Sequence, residues 1–256
     1  MSPRARTLLQ PFLAGVRLLP SARHEPLLFG LCTTCIVIEL VLQAGDRQWL
    51  GIPRLRQTVY EYAGFWPGLM GSWRPNYALQ PYLMFLTHAF LHGGLMHLGF
   101  NMATLVSLGR VVQDRVGQRG LAILFGASVL AGGLGYGLLT NSPSPMVGAS
   151  GGLFGLAGGL LAWNYVDRFS AAGRLWPVLR AALLLAAMNV ALWWLMQGQL
   201  AWQTHLGGFI GGWLAALLVD PIAHLDPPGA ESPQETPEDI AEGARDAAPP
   251  TAKKSQ

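Results

Sequence analysis

Six apolar stretches, at 26–45, 94–109, 120–140, 150–166, 175–196 and 200–219, constrain this 256-residue chain more than any other feature. Stretches of that length in succession call for an apolar solvent. In hydrocarbon each backbone N–H and C=O must be satisfied inside its own segment, which a helix does. Several stretches fall short of 20 residues, a shortfall that a bundle of many helices tolerates. With 51% apolar and 12% charged residues the chain does not read as an ordinary soluble domain. The 32 glycines cluster inside the apolar stretches and so read as close-packing surfaces between helices. The expected fold is all-α: a polytopic membrane bundle of six transmembrane helices, with the bilayer as its surroundings.

The charges suggest how such a bundle is oriented. Residues 220–256 hold eight of the fourteen acids but three of the seventeen Lys and Arg, leaving a markedly basic membrane part. Arg110, Arg115 and Arg119 crowd the second connection, and Arg168 and Arg174 the fourth, while 141–149 and 197–199 carry no charge. Positive residues mark cytoplasmic loops, and six spans put both ends on one side, so both termini are expected in the cytoplasm. A bacterial inner membrane is the expected location; the Arg-rich leader keeps a mitochondrial inner membrane open. Three regions follow: a cytoplasmic lead-in (1–25), the membrane domain (26–219), and a tail (220–256) too poor in apolar residues to order itself. The first outer connection, 46–93, is long and holds Trp49, Tyr60, Tyr62, Phe65, Trp66, Trp73 and Tyr77, a density expected of a segment lying in the membrane interface. No basic-aromatic motif for nucleic acid occurs.

Within this frame a few polar residues stand out. In Gly148-Ala149-Ser150-Gly151 a serine meets the start of a Gly-rich helix, where free backbone N–H groups could stabilise an oxyanion, although such a serine is commonly only a cap. His205 is an ionisable group within the sixth stretch, and thus a functional candidate unless it merely bonds a neighbouring helix. Ser150 lies seventeen residues before Asp167 and His205 fifteen before Asp220; at about 1.5 Å per residue their depths differ by about 3 Å. Gly151, Gly155 and Gly159, with Gly208 and Gly212, repeat at four-residue spacing and permit the two helices to approach. His97 and Asn101 share one helical face, and both could donate to an oxyanion, Asn101 only if its helix is offset or tilted. His88, His92 and His97 are raw material for a metal site, but their spacing, the intervening Gly93-Gly94 and the lack of a nearby carboxylate argue against one. Ser128 reads as a packing serine and Cys32 and Cys35 as packing residues. Glu39 reads as a structural charge bonded to the outer loop or a neighbouring helix, with proton relay or gating as the alternative.

The run Thr87-His88-Ala89-Phe90-Leu91-His92-Gly93-Gly94-Leu95-Met96-His97-Leu98-Gly99-Phe100-Asn101, followed by Gly148-Ala149-Ser150-Gly151 and His205-Leu206-Gly207-Gly208, resembles the rhomboid protease family. The likeness covers about 26–219. It implies a Ser150–His205 catalytic dyad and an oxyanion site made of the Ser150 backbone N–H and the His97 and Asn101 side chains. It also implies that Phe154, one turn after the nucleophile, stacks on the base. Family members often carry Trp-Arg just before the Thr-His motif; this chain has Leu83-Met84 there and a Trp73-Arg74 further upstream.

The activity implied is hydrolysis of a peptide bond in or beside a substrate's transmembrane helix, with transmembrane proteins as partners and no metal or organic cofactor required. No third carboxylate is apparent, so orientation of His205 would rest on packing and hydrogen bonds. Two rivals remain: a transporter or channel using Glu39 and the histidines, and a non-catalytic relative that only binds transmembrane clients.

Overall fold

The structure, a computed structural model, describes residues 20–219. Most of the expected lead-in and the whole of the expected tail lie outside the described residues. Seven α-helices follow in order: α1 (Pro26–Asp46), α2 (Leu55–Ala63), α3 (Gln80–Thr87), α4 (Leu95–Leu139), α5 (Ser150–Ser170), α6 (Trp176–Leu195) and α7 (Trp202–Val219). Among the described residues β pairing is confined to one isolated antiparallel bridge, Phe65 with Met146.

α4 is two helices joined at Gly117, whose φ of 68° and ψ of −177° break the helical path. Glycine suits the bend because it adopts positive φ without a steric cost. Its limbs, 95–116 and 118–139, correspond to the second and third apolar stretches. The connection expected at 110–119 is almost entirely helical instead. Arg110, Gln113 and Arg115 are competent helix formers, so the helix outlasts the apolar pattern by two turns and only Gly117 stops it. The arginines of that segment sit on a helix end, where Arg110 pairs with Glu25 (2.5 Å) and Arg115 with Asp167 (2.9 Å).

α4, α5 and α7 form the centre. Their Leu105, Val112, Leu121, Leu124, Leu156 and Ala216 are fully buried in one core that also takes in Leu28, Cys32 and Cys35 of α1. α6 lies outside this group and buries Val178 alone. Among the described residues α1, α4 and α6 stand out as long and apolar enough to cross a membrane, while α5 and α7 carry more glycine. The difference follows from position, because an interior helix faces other helices and can use glycine where a peripheral one must present hydrocarbon.

Surface and interior are inverted relative to a water-soluble protein. Leu218, Trp194, Leu138, Phe100 and Val190 are largely exposed, whereas Glu39, Gln80, Ser128 and Thr204 are buried. Such an arrangement is stable only where the surrounding solvent is itself apolar.

Candidate active site

The site is assembled by the close approach of α5 and α7. A Cβ added to Gly208 would lie 2.0 Å from the Gly151 carbonyl oxygen, and one on Gly212 would lie 2.0 Å from that of Gly155. Contact at that range is open to glycine only, so the four-residue glycine spacing sets the distance between the two helices. The result is direct contact of the two singled-out side chains: His205 Nε2 lies 2.9 Å from Ser150 Oγ. The Phe154 ring stacks on the His205 imidazole, with centroids 4.1 Å apart and planes 6° from parallel. Phe154 is one turn beyond Ser150 on α5, which puts both on the face toward α7.

The serine is presented by a lead-in whose backbone suits glycine. Gly148 has φ of +130°, where a side chain is disfavoured, and its N–H donates to the His88 carbonyl at 2.9 Å. Ser150 then opens α5, and the first-turn N–H groups of a helix have no acceptor within it.

His97 borders the same space. A Cβ on Gly148 would stand 2.9 Å from His97 Nε2 and 3.8 Å from Ser150 Oγ, so the missing side chain leaves a small gap between imidazole and hydroxyl. The Gly93 N–H donates to His97 Nδ1 at 3.2 Å. A nitrogen that accepts carries no proton in the neutral ring, so the His97 proton sits on Nε2, toward that gap. Asn101 is placed one turn further along α4. One of its amide N–H groups donates to the His97 carbonyl at 2.8 Å, leaving a second donor on the same nitrogen.

Residue Asn189 was not singled out in the sequence. It projects from α6 so that its Oδ1 lies 2.7 Å from His205 Nδ1. A signal for it was present: Asn189 is the one amide in the otherwise apolar run 181–196.

The remaining polar residues have structural surroundings. Glu39 is fully buried and bonds Arg56 of α2 through both oxygens (2.8 and 3.0 Å), as well as the Gln43 amide. Arg56 also donates to the His92 carbonyl at 2.8 Å, to which the Tyr60 hydroxyl donates at 2.6 Å. Burial disfavours the Arg56 charge, but hydrogen bonds to Glu39, Tyr60 and Asp46 outweigh it and raise its pKa. This cluster ties the 46–93 connection to α1 and to the backbone five residues before His97. Arg56, rather than Arg74, is therefore the arginine that anchors the connection, while Trp73 packs against Gly68 and Trp66. Met84, at the position where the resemblance leads us to expect an arginine, is fully buried. His88 Nδ1 lies 2.8 Å from the Met84 carbonyl, and the buried His92 ring packs edge-on against His97. Ser128 donates to the Leu124 carbonyl at 2.6 Å and packs on Gly155. Cys32 and Cys35 are buried free thiols.

A helical membrane protein with a serine and a histidine hydrogen-bonded between two interior helices is the class that fold and site define. The Rhomboid domain matches residues 79–221, more than half of the chain. The chain belongs to the rhomboid family, whose members include intramembrane serine proteases. It is 30% identical over 132 residues to RHOMBOID-like protein 5 of Arabidopsis thaliana, covering 51% of this chain and 41% of that protein. With the rhomboid protease GluP of Bacillus subtilis it shares 30% over 131 residues, 51% of this chain and 25% of GluP. With the rhomboid protease GlpG of Serratia proteamaculans it shares 26% over 206 residues, 76% of this chain and 63% of GlpG. The chain thus spans less than two thirds of the length of these relatives, and the family also has a member named inactive.

Proposed function

We propose that this protein is a serine endopeptidase that cleaves peptide bonds in or next to transmembrane segments of other membrane proteins. The observation that carries the proposal is the 2.9 Å contact between Ser150 Oγ and His205 Nε2, with the imidazole held flat against Phe154. A serine hydroxyl is a weak nucleophile until a base takes its proton. His205 Nε2 is within reach to do so as Ser150 Oγ attacks the scissile carbonyl carbon. The carbonyl oxygen then carries the developing negative charge, and the His97 Nε2–H, the Ser150 backbone N–H and the free Asn101 N–H are the donors proposed to stabilise it. Collapse of the tetrahedral intermediate breaks the C–N bond, with the proton on His205 passing to the leaving amine. Water, deprotonated by the same imidazole, hydrolyses the Ser150 ester and restores the enzyme.

Orientation belongs to the proposal as well. The ion-paired Arg110 and Arg115 lie at the opposite end of the bundle from Ser150, so the positive-inside tendency favours cytoplasmic termini and a site opening toward the outer face.

A fluorophosphonate probe tests the chemistry, because it reacts with a serine activated by a base beside an oxyanion site. Wild type should label; Ser150→Ala should abolish labelling, His205→Ala should reduce it severely, and Ser128→Ala should leave it unchanged. Wild-type labelling of folded Ser150→Ala would sink the dyad. A wild type that neither labels nor cleaves a panel of transmembrane substrates, yet binds them, would place it with the non-catalytic members of the family.

A further inference from the structure

We propose that Asn189 is the residue that positions His205, making the site a Ser150–His205–Asn189 arrangement spread over α5, α7 and α6. The inference rests on the protease reading above. Its own ground is the 2.7 Å contact between Asn189 Oδ1 and His205 Nδ1, on the side of the ring opposite Ser150.

An amide oxygen only accepts, so Nδ1 carries the ring proton and Nε2 presents its lone pair to the Ser150 hydroxyl. That tautomer is the one a general base needs. With the amide turned the other way, its N–H would donate to Nδ1, the ring proton would move to Nε2, and Ser150 would face a donor instead of a base.

Two further features single out Asn189. It is the one amide among the leucines, alanines and tryptophans of 181–196, in a helix that buries only Val178, so an unpaired carboxamide there would be costly in hydrocarbon. His205 supplies the partner that offsets that cost. A carboxylate could take the same proton, but an ion at this position would carry a larger desolvation penalty. The amide orients the imidazole without adding a charge. Phe154 fixes the ring plane by stacking, and Asn189 fixes the rotation within that plane.

The test is a pair of nearly isosteric variants, Asn189→Leu and Asn189→Asp, purified in the same lipid environment as wild type. Were Asn189 only a packing residue, leucine would be tolerated on an apolar helix and aspartate would do the damage. Were it the acceptor for Nδ1–H, the order reverses. Losing the orienting group of a charged triad costs about 10⁴-fold, and a neutral orienter, which compensates no charge, should cost less. Asn189→Leu is therefore expected to lower kcat and the fluorophosphonate labelling rate roughly 10- to 10²-fold, with KM changed less than about twofold. Asn189→Asp should retain most of both rates. Full activity of Asn189→Leu, or an Asn189→Asp protein that is folded yet as slow as Asn189→Leu, overturns the proposal. Nitrogen-15 spectra of labelled histidine read the tautomer without any turnover. Wild-type His205 should be protonated at Nδ1 and lose that preference in Asn189→Leu; protonation at Nε2 in wild type overturns the proposal. A wild type that shows the expected tautomer but neither labels nor cleaves would refute the protease reading while leaving the Asn189–His205 pair intact.

Discussion

Replacing Gly208 with alanine puts the geometry of the site under direct load. The new methyl would stand 2.0 Å from the Gly151 carbonyl oxygen, and below 3.0 Å something must shift. The obstacle is backbone on both sides, so no side chain can rotate away; α5 and α7 must part by about 1 Å where they cross. Ser150 is one residue from that crossing and His205 three residues from it. A 1 Å parting lengthens the 2.9 Å Ser150–His205 contact to about 3.9 Å, beyond hydrogen-bond range. Misplacement of that size costs on the order of 10²-fold in rate. Overpacking should also destabilise the fold by about 1–3 kcal/mol, despite the gain of up to about 1 kcal/mol that alanine brings to a helix. Gly126→Ala serves as the control, since a Cβ there meets nothing within 4 Å. It should keep full activity and unfold at the same or a higher temperature. Labelling by a fluorophosphonate and thermal unfolding in one detergent measure both effects. Gly208→Ala with wild-type labelling and unfolding temperature would refute the claim that these glycines set the Ser150–His205 distance.

His97→Ala should lower kcat on the order of 10²-fold with KM nearly constant, because the charge it is proposed to face exists only in the transition state; a raised KM at unchanged kcat would mark it as a substrate-binding residue. Arg56→Leu strands the buried Glu39 carboxylate and should cost about 3 kcal/mol, whereas Glu39→Leu combined with Arg56→Leu should recover most of it in thermal unfolding. A double variant no more stable than Arg56→Leu would show that the cluster contributes more than a compensated charge. In a cysteine-free background, Gln118→Cys or Ala171→Cys should resist an impermeant reagent added from outside, and labelling of either would overturn the proposed orientation.

The sequence by itself determined what depends on distance along the chain. Apolar runs marked the helices because hydrocarbon leaves the backbone few alternatives. Counting residues back from Asp167 and Asp220 put Ser150 and His205 within about 3 Å of one level, since helical rise is constant. The four-residue glycine spacing announced that two helices meet closely. Azimuth and neighbour identity are not one-dimensional, and these only the tertiary structure decided. Nothing local to 181–196 says that its single amide faces His205 rather than lipid, because that depends on how α6 is rotated against α7. Glu39 was evident as an isolated intramembrane acid, yet its choice of Arg56 among the arginines of the 46–93 connection required that connection to fold back over α1. The helical run through Arg110 and Arg115 escaped an apolar pattern because helix propensity and ion pairs with Glu25 and Asp167 sustain it where hydropathy has ended. Depth follows from the covalent chain; which side chains face each other at that depth follows from packing between segments far apart in it.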